Sequence, residues 1–137
     1  MGAKEELLAD ITRHDSGESV QEIHARLVAA GLKWKGPRNS ETLLYFFRLE
    51  EKEVGVAAMR RGIFSFPAPF WRSRATALRR ALDMVPSYHL VGTEPAISSS
   101  QYSAGQVQVS AGTLEAIIGM IDSVILPEAR KAGAALA

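Results

Sequence analysis

The sequence predicts an α+β fold, with a mainly antiparallel sheet and helices packed on one face of it. Two observations lead to this prediction. The predicted strands come in adjacent runs joined by short turns, and amphipathic helical patterns precede, interrupt and follow these runs. The predicted order is α-α-β-β-β-β-α-β-β-β-α. A length of 137 residues with 47% hydrophobic and 23% charged residues fits a single domain, 1–137.

Two helices are predicted at the N-terminal end. Residues 4–13 carry apolar side chains on one face, with acidic residues in the first turn. The second helix covers 20–30. Ser19 and Glu22 form a capping box before it, and Gly31 is predicted to end it in the left-handed conformation.

A meander of strands follows. The predicted strands are 32–35, 42–49, 54–59 and 63–66. The second is dense in aromatic residues, and a helix capped by Ser40 stays an alternative because the run has no clean period. The charged stretch 50–53 and the pair Arg61-Gly62 are the predicted turns.

The remaining elements are a long helix, three short strands and a final helix. The long helix runs from Pro69 to about Met84, before Pro86. The strands are predicted at 88–91, 97–102 and 106–110. Thr113 is predicted to cap the last helix, and Pro127 to end or kink it. The core is expected to contain Trp34, Phe47, Trp71, Leu78, Leu82, Ile117 and Ile121.

Charge is distributed unevenly along the chain. The net charge is +1, but residues 1–32 carry −3, residues 33–82 carry +7 and residues 83–137 carry −3. Residues 54–82 contain six arginines and no acid. This pattern indicates a middle that faces an anionic partner, unless the acidic ends fold back and neutralise it.

Five arginines are the candidate site for an anion or nucleic acid, because a guanidinium donates two hydrogen bonds at once to phosphate. They are Arg60, Arg61, Arg72, Arg79 and Arg80. Arg74 falls at the border of the apolar stripe of its helix, so we predict a structural role and a carboxylate partner. The candidate partners are the N-terminal helices, the 50–53 turn, Glu115 and Asp122.

Several kinds of chemistry lack their motifs. Cysteine is absent, the three histidines are scattered, and neither a Walker loop nor G-x-G-x-x-G occurs, so we expect no metal and no cofactor. His89 could act as a general base on Ser98, Ser99 or Ser100, but the G-x-S-x-G elbow is missing. Glu50-Glu51-Lys52 resembles a nuclease E-x-K triplet, although a charged turn is the favoured interpretation.

The leading functional hypothesis is a small cytoplasmic binding module whose basic middle faces nucleic acid or an acidic protein surface. One alternative is a regulatory or interaction subunit that forms a homodimer. Another is a metal-independent hydrolase or nuclease built on His89. No membrane association is expected, because the longest apolar runs are about five or six residues.

Overall fold

The computed structural model describes residues 2–13, 17–38, 41–91 and 103–136. The helices are α1 (Ala3–Thr12), α2 (Gly17–Ala29), α3 (Ala68–Trp71), α4 (Ala75–Leu82), α5 (Leu114–Met120) and α6 (Leu126–Lys131). The strands are β1 (Lys33–Arg38), β2 (Thr42–Leu49), β3 (Lys52–Arg60), β4 (Ile63–Pro67) and β5 (Ser103–Gln108). Two 3-10 turns cover Arg72–Arg74 and Ser87–His89, and a π-helical turn, Ile121–Ile125, joins α5 to α6.

The five strands form one antiparallel sheet in the order β1-β2-β3-β4-β5. One face of the sheet is covered by helices. Tyr45 and Phe66 point into this layer and share a core with Leu78 of α4 and Ile117 of α5. The predicted fold class is confirmed, and the predicted order of elements is matched in part.

Helix α2 begins earlier than the sequence predicts. It starts at Gly17, so Ser19 lies inside the helix and is buried beside Val20. The capping-box prediction is therefore wrong, because packing of this first turn against the core extends the helix beyond the local signal.

Gly31 ends α2 as predicted. Its φ is +109°, in the left-handed region. The Leu32 N–H donates to the Leu27 carbonyl at 3.3 Å, and the Gly31 N–H donates to the Val28 carbonyl at 3.0 Å. This pair of bonds is the Schellman motif, which satisfies carbonyls at the end of the helix.

The meander forms, and three of its strands are longer than predicted, β4 by the single residue Pro67. Strand β2 has the predicted bounds, Thr42–Leu49. Strand β1 continues to Arg38 because pairing with β2 resumes there after an irregularity in register. Strand β3 already begins at Lys52, because Glu50 and Glu51 adopt φ values of 50° and 68° and complete a tight turn.

The long helix predicted from Pro69 is interrupted. Arg74 has φ −121° and ψ 43°, outside the helical region, and separates α3 from α4. Both Phe70 and Trp71 are buried before the interruption. The change of direction allows these adjacent rings and the later Leu78 to face the same core, which one continuous helix would not permit.

The strand predicted at 88–91 is wrong. Residues Ser87–His89 form a 3-10 turn, and only Leu90 then makes an isolated bridge, to Val107 of β5. The predicted strand 97–102 lies outside the described residues. The predicted strand 106–110 is shifted toward the N-terminus, because β5 pairs with β4 from Ser103 onward.

The final helix is continuous through Pro127, with a wide turn before it. Proline removes a helical N–H and crowds the carbonyl four residues earlier, and the π-helical turn Ile121–Ile125 precedes Pro127 in the chain. Thr113 makes no capping bond to the helix. Its Oγ1 instead donates to the Gln108 carbonyl at 2.7 Å and accepts from the Ser110 N–H at 3.0 Å, fixing the turn after β5.

The predicted core is buried except at Trp34, which is half-buried. The buried members are Phe47, Trp71, Leu78, Leu82, Ile117 and Ile121. Trp34 lies on β1 at the sheet edge, where the Lys4 ammonium lies 4.4 Å from its ring centroid. Within the described residues, every helix is too short or too polar to cross a bilayer.

Candidate functional site

The face of the sheet that the helices leave uncovered carries a row of side chains in which Leu44 is followed by the small or polar residues Ala58, Ser65 and Gln106. Leu44 pairs with Ala58, Ala58 with Ser65, and Ser65 with Gln106. Residues opposite each other in an antiparallel sheet point to the same side. Since their neighbour Phe64 points into the core, these side chains point away from it.

A groove of about 1160 Å³ is lined by side chains of this uncovered face and also by Phe70 and Arg74, which come from the helical segment between β4 and α4. Ala58 and Ser65 contribute small side chains to its lining, and Gly55 lines it without a side chain. A Cβ at Gly55 would come within 2.7 Å of the Leu44 side chain, so glycine at this position leaves room for Leu44. The groove therefore follows the seam between β3 and β4.

The sheet divides where the groove runs beside the first residues of β3, from Lys52 onward. Strand β3 pairs with β2 over most of its length, but it pairs with β4 only from Ala58 to Arg60. Strand β4 turns away at Pro67 into α3. On the core side the Trp71 Nε1–H donates to the Val56 carbonyl at 2.8 Å and ties the two parts together. The division leaves one stretch of β3 beside the groove without β4 as a neighbour.

Arg60, the last residue of β3, also lines the groove. It alternates with buried Met59, so its side chain is on the uncovered face, and it is partly exposed. Among the described residues it makes no ion pair. The guanidinium is therefore available to an anion that enters the groove.

Arg74 also lines the groove but is held by the protein. Its guanidinium lies 3.9 Å from the Phe70 ring centroid, and Nη1 donates to the Phe70 carbonyl at 2.8 Å. Nε lies 3.8 Å from the Glu128 carboxylate. The predicted carboxylate contact is present, but it comes from Glu128 rather than from the named candidates Glu115 and Asp122.

The carboxylate in the lining, Glu53, is held by cations of the neighbouring strands. It forms an ion pair with Lys35 of β1, and Arg48 of β2 donates to it at 3.1 Å. The charged turn around Glu50–Glu51 thus continues into a strand-borne network. Within the E-x-K triplet, Glu50 and Glu51 form the tight turn between β2 and β3, which agrees with the charged-turn interpretation.

The other arginines of the predicted site lie elsewhere. Arg61 stands in the turn after β3 and makes a two-pronged ion pair with Asp10 of α1, at 2.7 and 2.9 Å. Hydrogen bonding to Arg61 lowers the pKa of Asp10, and the same bond raises the pKa of Arg61. The adjacent residues Arg60 and Arg61 of the predicted site therefore lie in different surroundings: Arg60 lines the groove, and Arg61 pairs with α1.

The last three predicted site residues belong to the helical layer. Arg79 and Arg80 are exposed on α4, whose Leu78 and Leu82 pack against the core face of β5. Arg72 is exposed in the 3-10 turn before α4. Arg60 is thus on one side of the sheet, and Arg79 and Arg80 are on the other. The five predicted arginines therefore do not lie on one surface. Their use as an anion site remains a prediction.

A polar pair at the border of the core, formed by partly buried His24 and buried Tyr45, was not predicted. His24 Nδ1 lies 2.7 Å from the Tyr45 hydroxyl, between α2 and β2, and Trp34 packs edge-on against the imidazole. Burial lowers the pKa of His24, with a further contribution from Lys4, and burial raises the pKa of Tyr45. The sequence contains part of the signal for this pair, because His24 directly follows Ile23 of the apolar face of its helix.

The residues proposed for hydrolysis are only partly described. His89 is partly exposed, and its ring lies 4.3 Å from that of Tyr88. Ser98, Ser99 and Ser100 lie outside the described residues. Within the described part of the chain, no three acidic or histidine side chains are grouped to hold a metal ion.

The groove residues Ser65 and Gln106 were missed because neither carries a motif. Only strand register brings them beside Ala58.

Comparison with known proteins adds no relative, since no protein family, no curated protein and no solved structure matches the chain.

Proposed function

We propose that this protein is a binding module, and that an anionic partner binds in the groove on the uncovered face of the sheet. The observation that carries the proposal is Arg60. It is a partly exposed arginine at the end of a large groove, and among the described residues no carboxylate neutralises it. Arg61, next to it in sequence, is neutralised by Asp10.

The composition of the groove supports a ligand with both apolar and polar parts. Leu44 and Ala58 in its lining are apolar, while Ser65 and Gln106 carry hydroxyl and amide groups. A cleft that combines an apolar lining with a few placed polar groups is typical of binding sites. An arginine at its end suits a carboxylate or phosphate, which accepts two hydrogen bonds from a guanidinium.

Arg60→Gln and Arg61→Gln form a matched pair for testing this function. Binding of three labelled probes, a single-stranded oligonucleotide, decanoate and a glutamate-rich peptide, is measured by fluorescence anisotropy. We expect at least one probe to bind, and Arg60→Gln to weaken its binding at least fivefold, with Arg61→Gln close to wild type. Equal binding by both variants, or binding of no probe, would contradict the proposal.

Nucleic acid on the helical layer is a second candidate. Its support is the exposed pair Arg79 and Arg80, followed in the chain by Tyr88, which is 74% exposed. Basic side chains contact phosphates, and an exposed aromatic ring can stack on an unpaired base. We expect salt-sensitive oligonucleotide retardation that the double substitution of Arg79 and Arg80 by glutamate abolishes. Absence of retardation at low salt would exclude this candidate.

A further inference from the structure

Four polar side chains surround Ala58 on the uncovered face of the sheet. Ser65 lies opposite Ala58 on β4, and Gln106 lies opposite Ser65 on β5. Arg60 is the next residue of β3 on the same face, and the register of β2 and β3 places Thr42 opposite Arg60. All four of these side chains line the groove. The strand register therefore brings them to one place although they are far apart in the sequence.

The hydrogen-bonding groups of these four side chains are not used within the protein. Among the described residues, neither a hydrogen bond nor an ion pair engages the side chains of Thr42, Arg60, Ser65 and Gln106. Ser65 is only 8% exposed, so its hydroxyl lies at the floor of the groove rather than on an open surface. A nearly buried hydroxyl without a partner in the protein costs free energy unless a molecule in the groove bonds to it.

This part of the groove is compact. Strand β4 is paired with β3 from Ala58 to Arg60, so the main chain offers no open edge here. The Leu44 side chain bounds the space toward Gly55, where an added Cβ would lie 2.7 Å from it. Neighbouring strands lie about 4.8 Å apart, and alternate residues on one face about 7 Å apart. The polar groups around Ala58 are therefore within reach of one ligand about the size of a sugar.

The chemistry of the four side chains selects the class of ligand. The Arg60 guanidinium only donates hydrogen bonds, and it fits the paired oxygens of a carboxylate or phosphate. The hydroxyls of Thr42 and Ser65 and the amide of Gln106 both donate and accept, as the hydroxyl groups of a ligand do. An alkyl chain would leave these three groups unpaired. An oxyanion that carries hydroxyl groups satisfies all four.

We propose that the part of the groove around Ala58 binds a compact, hydroxylated oxyanion, such as a sugar acid or a sugar phosphate. This inference rests on the proposed function and names the class of its ligand. The carboxylate or phosphate bonds to Arg60. The ligand hydroxyls bond to Ser65, Thr42 and Gln106, and its C–H groups lie against Ala58.

The test is an NMR titration of the isotope-labelled full chain with small ligands. Gluconate and glucose 6-phosphate carry both hydroxyls and an anionic group. Hexanoate has the charge and the number of carbon atoms of gluconate but no hydroxyls, and sorbitol has the hydroxyls but no charge. The side-chain amide of Gln106 and the main-chain amides of Ala58 and Ser65 report binding at this site.

We expect gluconate or glucose 6-phosphate to bind at least tenfold more tightly than both hexanoate and sorbitol. A site that bonds to ligand hydroxyls discriminates against the analogue that lacks them. The difference between the two hydroxylated anions shows whether the site prefers a carboxylate or a phosphate.

Two variants with matched controls assign the binding groups. Arg60→Gln should weaken binding of the better ligand at least tenfold, and Arg61→Gln should not. Ser65→Ala should weaken it at least fivefold, whereas Ser87→Ala, in the exposed 3-10 turn, should bind like wild type. The dispersion of the amide spectrum shows that each variant is folded.

Three results would overturn a site for a hydroxylated oxyanion: hexanoate binding as tightly as the hydroxylated anions, sorbitol binding as tightly as they do, or unchanged affinity in Ser65→Ala. Binding of decanoate, the oligonucleotide or the glutamate-rich peptide through Arg60, without binding of either hydroxylated anion, would overturn this inference and leave the proposed function standing. Failure of every anionic probe, or wild-type affinity in Arg60→Gln, would remove both.

Discussion

At the scale of single residues, His24 and Tyr45 connect helix α2 to the sheet. The folded state favours the neutral imidazole, because burial and Lys4 lower the pKa of His24 below its ordinary value of 6.5. The unfolded chain therefore binds more protons than the folded chain as the pH falls below that value. This contribution to stability is complete above about pH 6.5 and is lost as the pH falls toward the folded pKa.

We predict that the free energy of unfolding falls between pH 7.5 and pH 5.5, and that His24→Phe makes it less dependent on pH in this range. Urea denaturation at several pH values measures the effect. His89→Gln is the control, because His89 lies in the 3-10 turn outside this pair. An unchanged pH dependence in His24→Phe would show that another group titrates there.

Arg74 differs from the other arginines because its contacts lie within the protein. Its stack on Phe70 and its bond to the Phe70 carbonyl together predict that Arg74→Ala lowers the free energy of unfolding by about 1–2 kcal/mol. Arg79→Ala, on the exposed face of α4, should change it by less than about 0.5 kcal/mol. Thermal or urea denaturation of both variants measures this difference. Equal small losses in the free energy of unfolding would show that Arg74 is an ordinary surface charge.

At the scale of the elements, the ends that follow local rules were predictable and the interruptions were not. Gly31 ends α2 because a left-handed residue is needed there, and glycine in the sequence signals it. The interruption at Arg74 depends on the simultaneous burial of Phe70 and Trp71. The start of α2 depends likewise on burial of Ser19. Single-sequence patterns do not contain such tertiary requirements.

Gly31→Ala tests the end of α2. The nearest neighbour of an added Cβ would be 3.5 Å away, so the expected cost comes from the backbone at φ +109° rather than from a clash. We predict a loss of about 1–2 kcal/mol in the free energy of unfolding. Gly112→Ala is the control, since an added Cβ there meets only Ser110 Oγ, at 3.6 Å. Similar stability of the two variants by urea denaturation would argue against a strained cap.

At the scale of the whole molecule, the uneven charge of the sequence is partly resolved within the fold. Of the arginines in the acid-free segment, Arg61 pairs with Asp10 of the N-terminal flank and Arg74 with Glu128 of the C-terminal flank. The sequence left open whether the flanks would neutralise the middle, because long-range ion pairs depend on topology. Arg60 differs, since no carboxylate of the described residues pairs with it.

The groove could not be predicted for the same reason. Alternation along β3 was enough to place Ala57 and Ala58 on opposite faces once the strand was assigned. The division between β3 and β4, however, follows from the register of three strands and the turn of the chain at Pro67. A groove formed by small residues has no sequence motif, whereas a group of arginines is visible in the sequence as a candidate anion site.

These two alanines allow the two faces of the sheet to be compared directly. Ala57 lies in the core and is fully buried, so Ala57→Leu should overpack it and lower the free energy of unfolding by about 1–3 kcal/mol. Ala58 is 6% exposed, but it lines the groove on the other face of β3 and is not part of the core cluster. Ala58→Leu should therefore lower the free energy of unfolding by less than Ala57→Leu does, while filling the groove. Urea denaturation gives both values, and the anisotropy of whichever probe binds wild type should drop for Ala58→Leu. If both variants lost stability equally, the face carrying Ala58 would be packed like the core, and the groove would not be open to a ligand.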